Sequence, residues 1–256
     1  MRVTARCVFI ALLALASGAL VSCAAPTKPK VATQEEIVRR DNAVGAELAA
    51  RFEKQLKLHA DREVGSFLKS LAQGLSEGSP DLKLAAVGVQ IIRDVKGAWR
   101  SFGLPGNRIY VSSGLIRRLD FENEVAAALA FELGHIQKRH LVNRLEEGKP
   151  AATSAESEQP VDFLGPSGVF AFSEEAELEA VDASVDLMYR AGYDPRGLLS
   201  IWQAYAVEPR RSPFDASMLE KLVNRTRGAI TKYAPLRNPI VRSAAFIAIQ
   251  KRIRKL

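Results

Sequence analysis

An uncharged apolar run from Val8 to Leu20, preceded by Arg2 and Arg6 and ended by Leu20-Val21-Ser22-Cys23, limits first what this chain can fold into. The run is shorter than the about 20 apolar residues that a spanning helix takes. Behind a basic start it reads as a secretory signal over residues 1–22, removed before the rest folds. The folding part then lies outside the cytoplasm. The chain has 2 Cys, Cys7 within the signal and Cys23 at its end. No disulfide remains for the mature domain even in an oxidising compartment, so its core must carry its stability.

The four residues ending at Cys23 resemble the lipobox of bacterial lipoproteins. That resemblance implies diacylglycerol on the Cys23 thiol, cleavage before it and acylation of the new amine, with residues 23–34 as a tether rich in Pro, Lys, Thr and Ala. Several acyl chains, at about 0.8 kcal/mol per buried methylene, make a stable anchor in membrane lipid. Ala24 rather than Asp after the cysteine implies the periplasmic face of the outer membrane.

About 230 residues remain, enough for one domain. At 47% hydrophobic and 25% charged, the whole chain is ordinarily globular in composition. The net charge is +7, partly gathered in Lys251, Arg252, Arg254 and Lys255, where cations complement the end of a last helix. No nucleic-acid motif is present, and export makes nucleic acid a poor partner. Helical periodicity runs from Glu35 to Ser76, with Asp61 capping a second helix. Leu82 to Val95 alternates and reads as a strand; Gly103 to Asn107 reads as a turn; Arg108 to Ser112 reads as a second strand. Asp120 is the expected cap of a helix from Phe121 to Leu141. A mobile loop is expected near 147–172. Further helices are expected over Ser173–Ala191, Arg196–Val207 and Pro239–Lys255, the first ending at Gly192-Tyr193-Asp194-Pro195.

The long helix carries Glu122-Asn123-Glu124, then Phe131-Glu132-Leu133-Gly134-His135 and Arg139-His140. With Leu104-Pro105-Gly106-Asn107 upstream and Glu177 to Pro195 downstream, these residues resemble the M-forty-eight family of zinc metallopeptidases, which includes CAAX prenyl proteases and periplasmic quality-control proteases. The resemblance covers roughly Gly45 to Arg242. It implies an α+β fold over residues 35–256: a mostly helical, zincin-like metallopeptidase domain with a small β-sheet. It also implies zinc ligands at His135 and Glu177, a general base at Glu132, and a peptide-binding edge strand formed by Arg108, Ile109, Tyr110, Val111 and Ser112.

Three positions depart from the family pattern. Its motif has two histidines four apart on one helical face, which bind zinc, and a Glu that activates the bound water. The first histidine is Phe131 here, and a phenyl ring has no lone pair for zinc. Val181 stands where an aspartate would orient a ligand histidine, and Asp182 is about 100° further round the helix. Asn238 replaces a histidine assigned to transition-state stabilisation. His140 lies about 140° from His135 on a continuous helix, so the two do not readily share a metal. His59 is expected at the surface. Glu132-x-x-His135 with Glu177 leaves a weak carboxylate-type iron site as a further option.

Two functions of different class follow. The first is a proteolytically inactive, membrane-anchored binding module without a metal cofactor, which captures peptides or unfolded envelope proteins in assembly or quality control. The alternative is an active zinc metalloendopeptidase of the envelope. A purely structural lipoprotein is a third possibility, and it predicts no peptide binding.

Overall fold

A computed structural model describes residues 32–93, 99–147, 170 and 172–256. The expected signal, Cys23 and most of the tether lie outside these residues, as do 94–95 of the expected first strand and nearly all of the expected loop.

The architecture is α+β, mostly helical with a three-stranded sheet. The N-terminal helices are α1 (Gln34–Phe52) and α2 (Arg62–Glu77). Asp61 caps α2 as its sequence position predicts, its carboxylate accepting from the Val64 N–H at 3.1 Å. The expected strand from Leu82 divides: Leu82–Leu84 is a 3-10 turn, and pairing is confined to β1 (Gly88–Ile92). The Asn107 amide holds that turn by donating to the Leu82 and Ala85 carbonyls.

The sheet corrects the expected edge. β2 (Ser101–Leu104) and β3 (Arg108–Ser112) form a hairpin, and the strand order is β1-β3-β2, with β1 parallel and β2 antiparallel to β3. Residues Arg108 to Ser112 therefore occupy the central strand, hydrogen-bonded on both sides. Its backbone has no free edge to offer a peptide. The turn lies between Leu104 and Arg108, where Gly106 and Asn107 take positive φ of 74° and 56°.

After the short α3 (Ser113–Arg118) comes α4 (Glu122–Gln137), the buried axis of the domain. Val125, Ala126, Ala127, Leu129, Ala130 and Leu133 are all fully buried on it. Its N-terminus is not capped by the Asp120 side chain. The Glu124 carboxylate instead turns back to accept from the Asp120 and Phe121 N–H groups. Nor does the helix continue to Leu141. It stops at Lys138, Arg139 takes a left-handed φ of 55°, and α5 (His140–Glu146) starts in a new direction. The Arg139 guanidinium holds this break by a two-pronged pair with Asp41 of α1, at 2.7 and 2.9 Å.

Helix α6 (Glu174–Arg190), capped by Ser173, runs antiparallel to α4. The approach needs Gly134, since a Cβ there would meet the Ala180 carbonyl at 2.7 Å. α7 (Gly197–Val207), α8 (Ala216–Ile230) and α9 (Ala244–Ile253) complete the described residues. Sequence patterning missed α8 and began α9 too early. Residues before Ser243 instead bind the start of α4: the Glu122 and Asn123 N–H groups donate to the Val241 carbonyl. The Glu122 carboxylate accepts from Ser243 N–H and the Tyr193 hydroxyl. No described helix is long and apolar enough to cross a membrane.

Candidate functional site

Helical spacing sets Phe131, Glu132 and His135 toward one side of α4. Around them stand Glu177 near the start of α6, Ser101 on β2, Trp202 and Tyr205 on α7, and Phe214. They enclose a cavity of about 40 Å³, which also touches Phe170 and Phe172.

Phe131 is built into the cavity wall. Its ring meets Trp202, His135 and Phe214 edge-on, at centroid distances of 5.1, 4.8 and 6.3 Å. Glu132 is buried and faces β2: Ser101 Oγ–H donates to it at 2.7 Å, and the Gly103 N–H donates as well. Gly103 permits this closeness, since a Cβ there would lie 3.0 Å from the Glu132 carbonyl. Burial pushes the Glu132 carboxyl up to about 7, and the nearby Glu177 adds to the rise, against the lowering effects of His135, Ser101 and Gly103.

The turn at Arg139 overturns the expected separation of the two histidines, because they are not on one continuous helix. His140 Nδ1 lies 3.0 Å from His135 Nδ1, and His140 Nε2 lies 3.2 Å from Glu179 Oε2. Burial lowers the His140 pKa, with the His135 charge next in effect. On its other side, His135 Nε2 is 3.3 Å from Glu177 Oε2. That pair is close but not aligned: among the described residues, the buried Glu177 Oε2 accepts no hydrogen bond. Phe172 stacks on the His135 ring at 4.4 Å.

The three departures from the family pattern do not gather at one point. Phe131 lines the cavity. Val181 is fully buried in the core, one turn along α6 from Glu177. Asp182 does not replace it; its carboxylate pairs with Arg225 at 2.5 and 3.0 Å and with Lys232 at 3.5 Å. Asn238 is exposed. Two residues on, Ile240 pairs with Tyr193 beyond the far end of α6 from Glu177. The structure thus places Asn238 outside the cavity.

The donor set does not fit a three-ligand zinc centre. His135 and Glu177 each offer one atom, Phe131 fills the place of the third donor, and Glu132 is engaged by β2. Among the described residues, no group of three or more His, Cys, Asp and Glu is arranged to hold a metal ion. Sequence reading overlooked Ser101, Phe172, Trp202, Tyr205 and Phe214. No motif ties them to α4, and only the fold brings them there.

Comparison with known proteins agrees with this architecture. The model described as Peptidase family M48 matches residues 59–224. A beta-barrel assembly-enhancing protease of Yersinia pestis is 26% identical over 129 residues, 43% of this chain and 26% of that protein. Proteins of the same description from Escherichia coli (strain K12) and Shigella flexneri are 23% identical over 124 residues, 38% of this chain and 24% of theirs. The matched stretch thus spans about a quarter of the length of these relatives.

Proposed function

Because this chain belongs to peptidase family M48, a family of zinc metallopeptidases, we propose that it is a proteolytically inactive member, holding peptide segments of envelope proteins without cutting them. The observation that carries this reading is Phe131. A ligand position has become a ring locked edge-on against Trp202, His135 and Phe214. Zinc-activated water needs a metal held in an open, fixed geometry, and a phenyl ring supplies neither donor nor room.

The strand that borders the cavity with a side unpaired in the sheet is β2, not β3, and a peptide added there would compete with Glu132 for the Gly103 N–H. Ser112 N–H donates to the Arg100 carbonyl. In this register, alternation turns the backbone groups of Ser101 and Gly103 away from β3, toward α4. Phe170 packs against Phe102 of β2, and Phe172 covers His135, so a peptide laid along this edge displaces those two rings. The relatives' description suggests clients among β-barrel proteins under assembly. Acylation at Cys23 would tether the domain to membrane lipid at the periplasmic face of the outer membrane, as the lipobox resemblance implies.

One observation favours the alternative of an active zinc endopeptidase: His135, Glu177 and Glu132 still share one cavity. Elemental analysis of the full chain in detergent, beside Phe131→His, separates the two. The expected result is zinc well below one per chain in the natural protein and near one in the variant. One zinc per natural chain, with casein cleavage lost in Glu132→Gln, would establish the alternative instead.

A further inference from the structure

Two large apolar side chains that the described residues leave exposed, Phe121 at 43% and Ile247 at 58%, belong to elements knit together side by side. Phe121 opens α4, and Ile247 lies on α9. The Gln250 amide of α9 donates to the Asp120 carbonyl at 2.8 Å, and Arg254 donates to the Asp120 carboxylate at 3.1 Å. The Val241 carbonyl, just before α9, accepts from the first N–H groups of α4. Helix α9 buries Phe246, Gln250 and Ile253. Ile247, Lys251 and Arg254 stand at i, i+4 and i+7, so they share one outer stripe. At the same corner, Arg117 and Arg118 end α3, which packs against α9, and both are exposed.

The charge left over on this face is positive. The carboxylates at its centre are already answered: Asp120 by Arg254, and Glu124 by the backbone N–H groups of Asp120 and Phe121. Arg252 turns round α9 to the other side, where it pairs with Asp61 and Glu63. Among the described residues, Arg118, Lys251 and Lys255 enter no ion pair.

We propose that the α3–α4 corner and the outer stripe of α9 form one face that rests on an anionic phospholipid surface. Single apolar side chains set among cations match the bilayer interface. The phenyl ring and the branched chain enter at headgroup depth, while lysine and arginine stems lie along the interface and keep their charges at the phosphates. Lysine is scarce at the centre of protein–protein interfaces, yet here Lys251 adjoins Ile247 on the stripe. Anchoring at Cys23 would hold the face within reach, because residues 24–33 fully extended cover at most about 35 Å. The inference takes this nearness from the anchoring reading above and takes nothing from peptide capture.

The test uses the full chain reconstituted into vesicles of phosphatidylcholine, with or without phosphatidylglycerol, in which the lipid chains are brominated. Trp99 and Trp202 are buried, so a tryptophan placed on the surface reports its own contact with lipid. Phe121→Trp is the reporter, and Val207→Trp, at an exposed position of α7, is the control. The expected result is bromine quenching at position 121 that needs phosphatidylglycerol and fades as salt rises, with little quenching at 207. Adding Lys251→Gln and Lys255→Gln should move the docked-to-free ratio about thirtyfold toward free, about fivefold for each cation. If Phe121→Trp fails to fold, Ile247→Trp takes its place. Equal quenching at the reporter and the control, or equal quenching with and without phosphatidylglycerol, overturns the proposal. Reporter emission that depends on protein concentration without lipid assigns the face to a second copy and overturns it too. Flotation of the natural chain reads the anchor separately. Flotation with both kinds of vesicle and no quenching at 121 keeps the anchor and removes the face. Phosphatidylglycerol-dependent quenching without flotation on pure phosphatidylcholine supports the face and removes the anchor.

Discussion

Replacing Glu132 by Gln should remove a specific pH dependence of stability. The carboxyl is fully buried against α7 and β2, and burial moves it from an ordinary 4.5 up to about 7. The folded state therefore holds this proton more tightly than the unfolded chain does. Below about pH 4.5 both states are protonated, and the contribution favouring the fold is fully present. Between pH 4.5 and 7 the unfolded chain ionises while the folded one does not, so stability falls as pH rises. Above 7 the loss is complete and the curve is flat. The whole change from this one group is at most roughly 3 kcal/mol. Urea melts at half-unit steps from pH 4.5 to 8, on the natural chain and on Glu132→Gln, report on it together with the His135 and Glu177 charges coupled to it, because titrating groups remote from it cancel in the difference. The natural chain should lose stability relative to the variant across that range, and the two should then run parallel. Parallel curves throughout would mean that Ser101 and Gly103 hold the carboxylate ionised and that burial does not dominate.

Phe131→Ala should destabilise the domain by about 3–5 kcal/mol, because a nearly buried aromatic leaves a cavity between Trp202 and His135; calorimetric melting measures it, and a loss under 1 kcal/mol would refute the packing account. Gly134→Ala should cost about 1–3 kcal/mol by forcing α6 off the Ala180 contact, read as a lower urea midpoint at unchanged slope. Arg139→Ala should cost about 1–3 kcal/mol through loss of the paired Asp41, and it should break the His135–His140 contact, visible in histidine ¹⁵N spectra. Phe172→Ala should tighten binding of a valine–threonine peptide, measured by fluorescence anisotropy, if the ring on His135 competes with peptide for the cleft; weaker binding would show that the ring is part of the binding surface.

The legible parts were those written locally. Asp61 and Ser173 announce helix starts because a short polar side chain followed by a periodic apolar face has few other uses. Glu132, His135 and Glu177 were readable as one constellation through the family's spacing, and the structure does bring them to one cavity. The illegible parts depend on distant partners. β2 has four residues with a glycine among them, too short for alternation to register, and it exists because β3 offers it an edge. The turn expected from Gly103 took in two of its residues, and the edge strand implied by the family resemblance was placed on β3 instead. Arg139 gives no local sign of a left-handed turn, which is imposed by an aspartate 98 positions earlier.

By itself, the sequence determined the class of fold and the long buried helix, which follow from residue type and short-range spacing, while the family resemblance marked the two donor positions that survive and the lone pair that Phe131 lacks. Only the tertiary structure decided that His140 turns back onto His135, that β2 and not β3 borders the cavity, that Asn238 stands apart from it, and that Glu177 lies 3.3 Å from His135. Those facts depend on which surfaces pack across dozens of residues, and burial then raises the pKa of Glu132 and lowers that of His140.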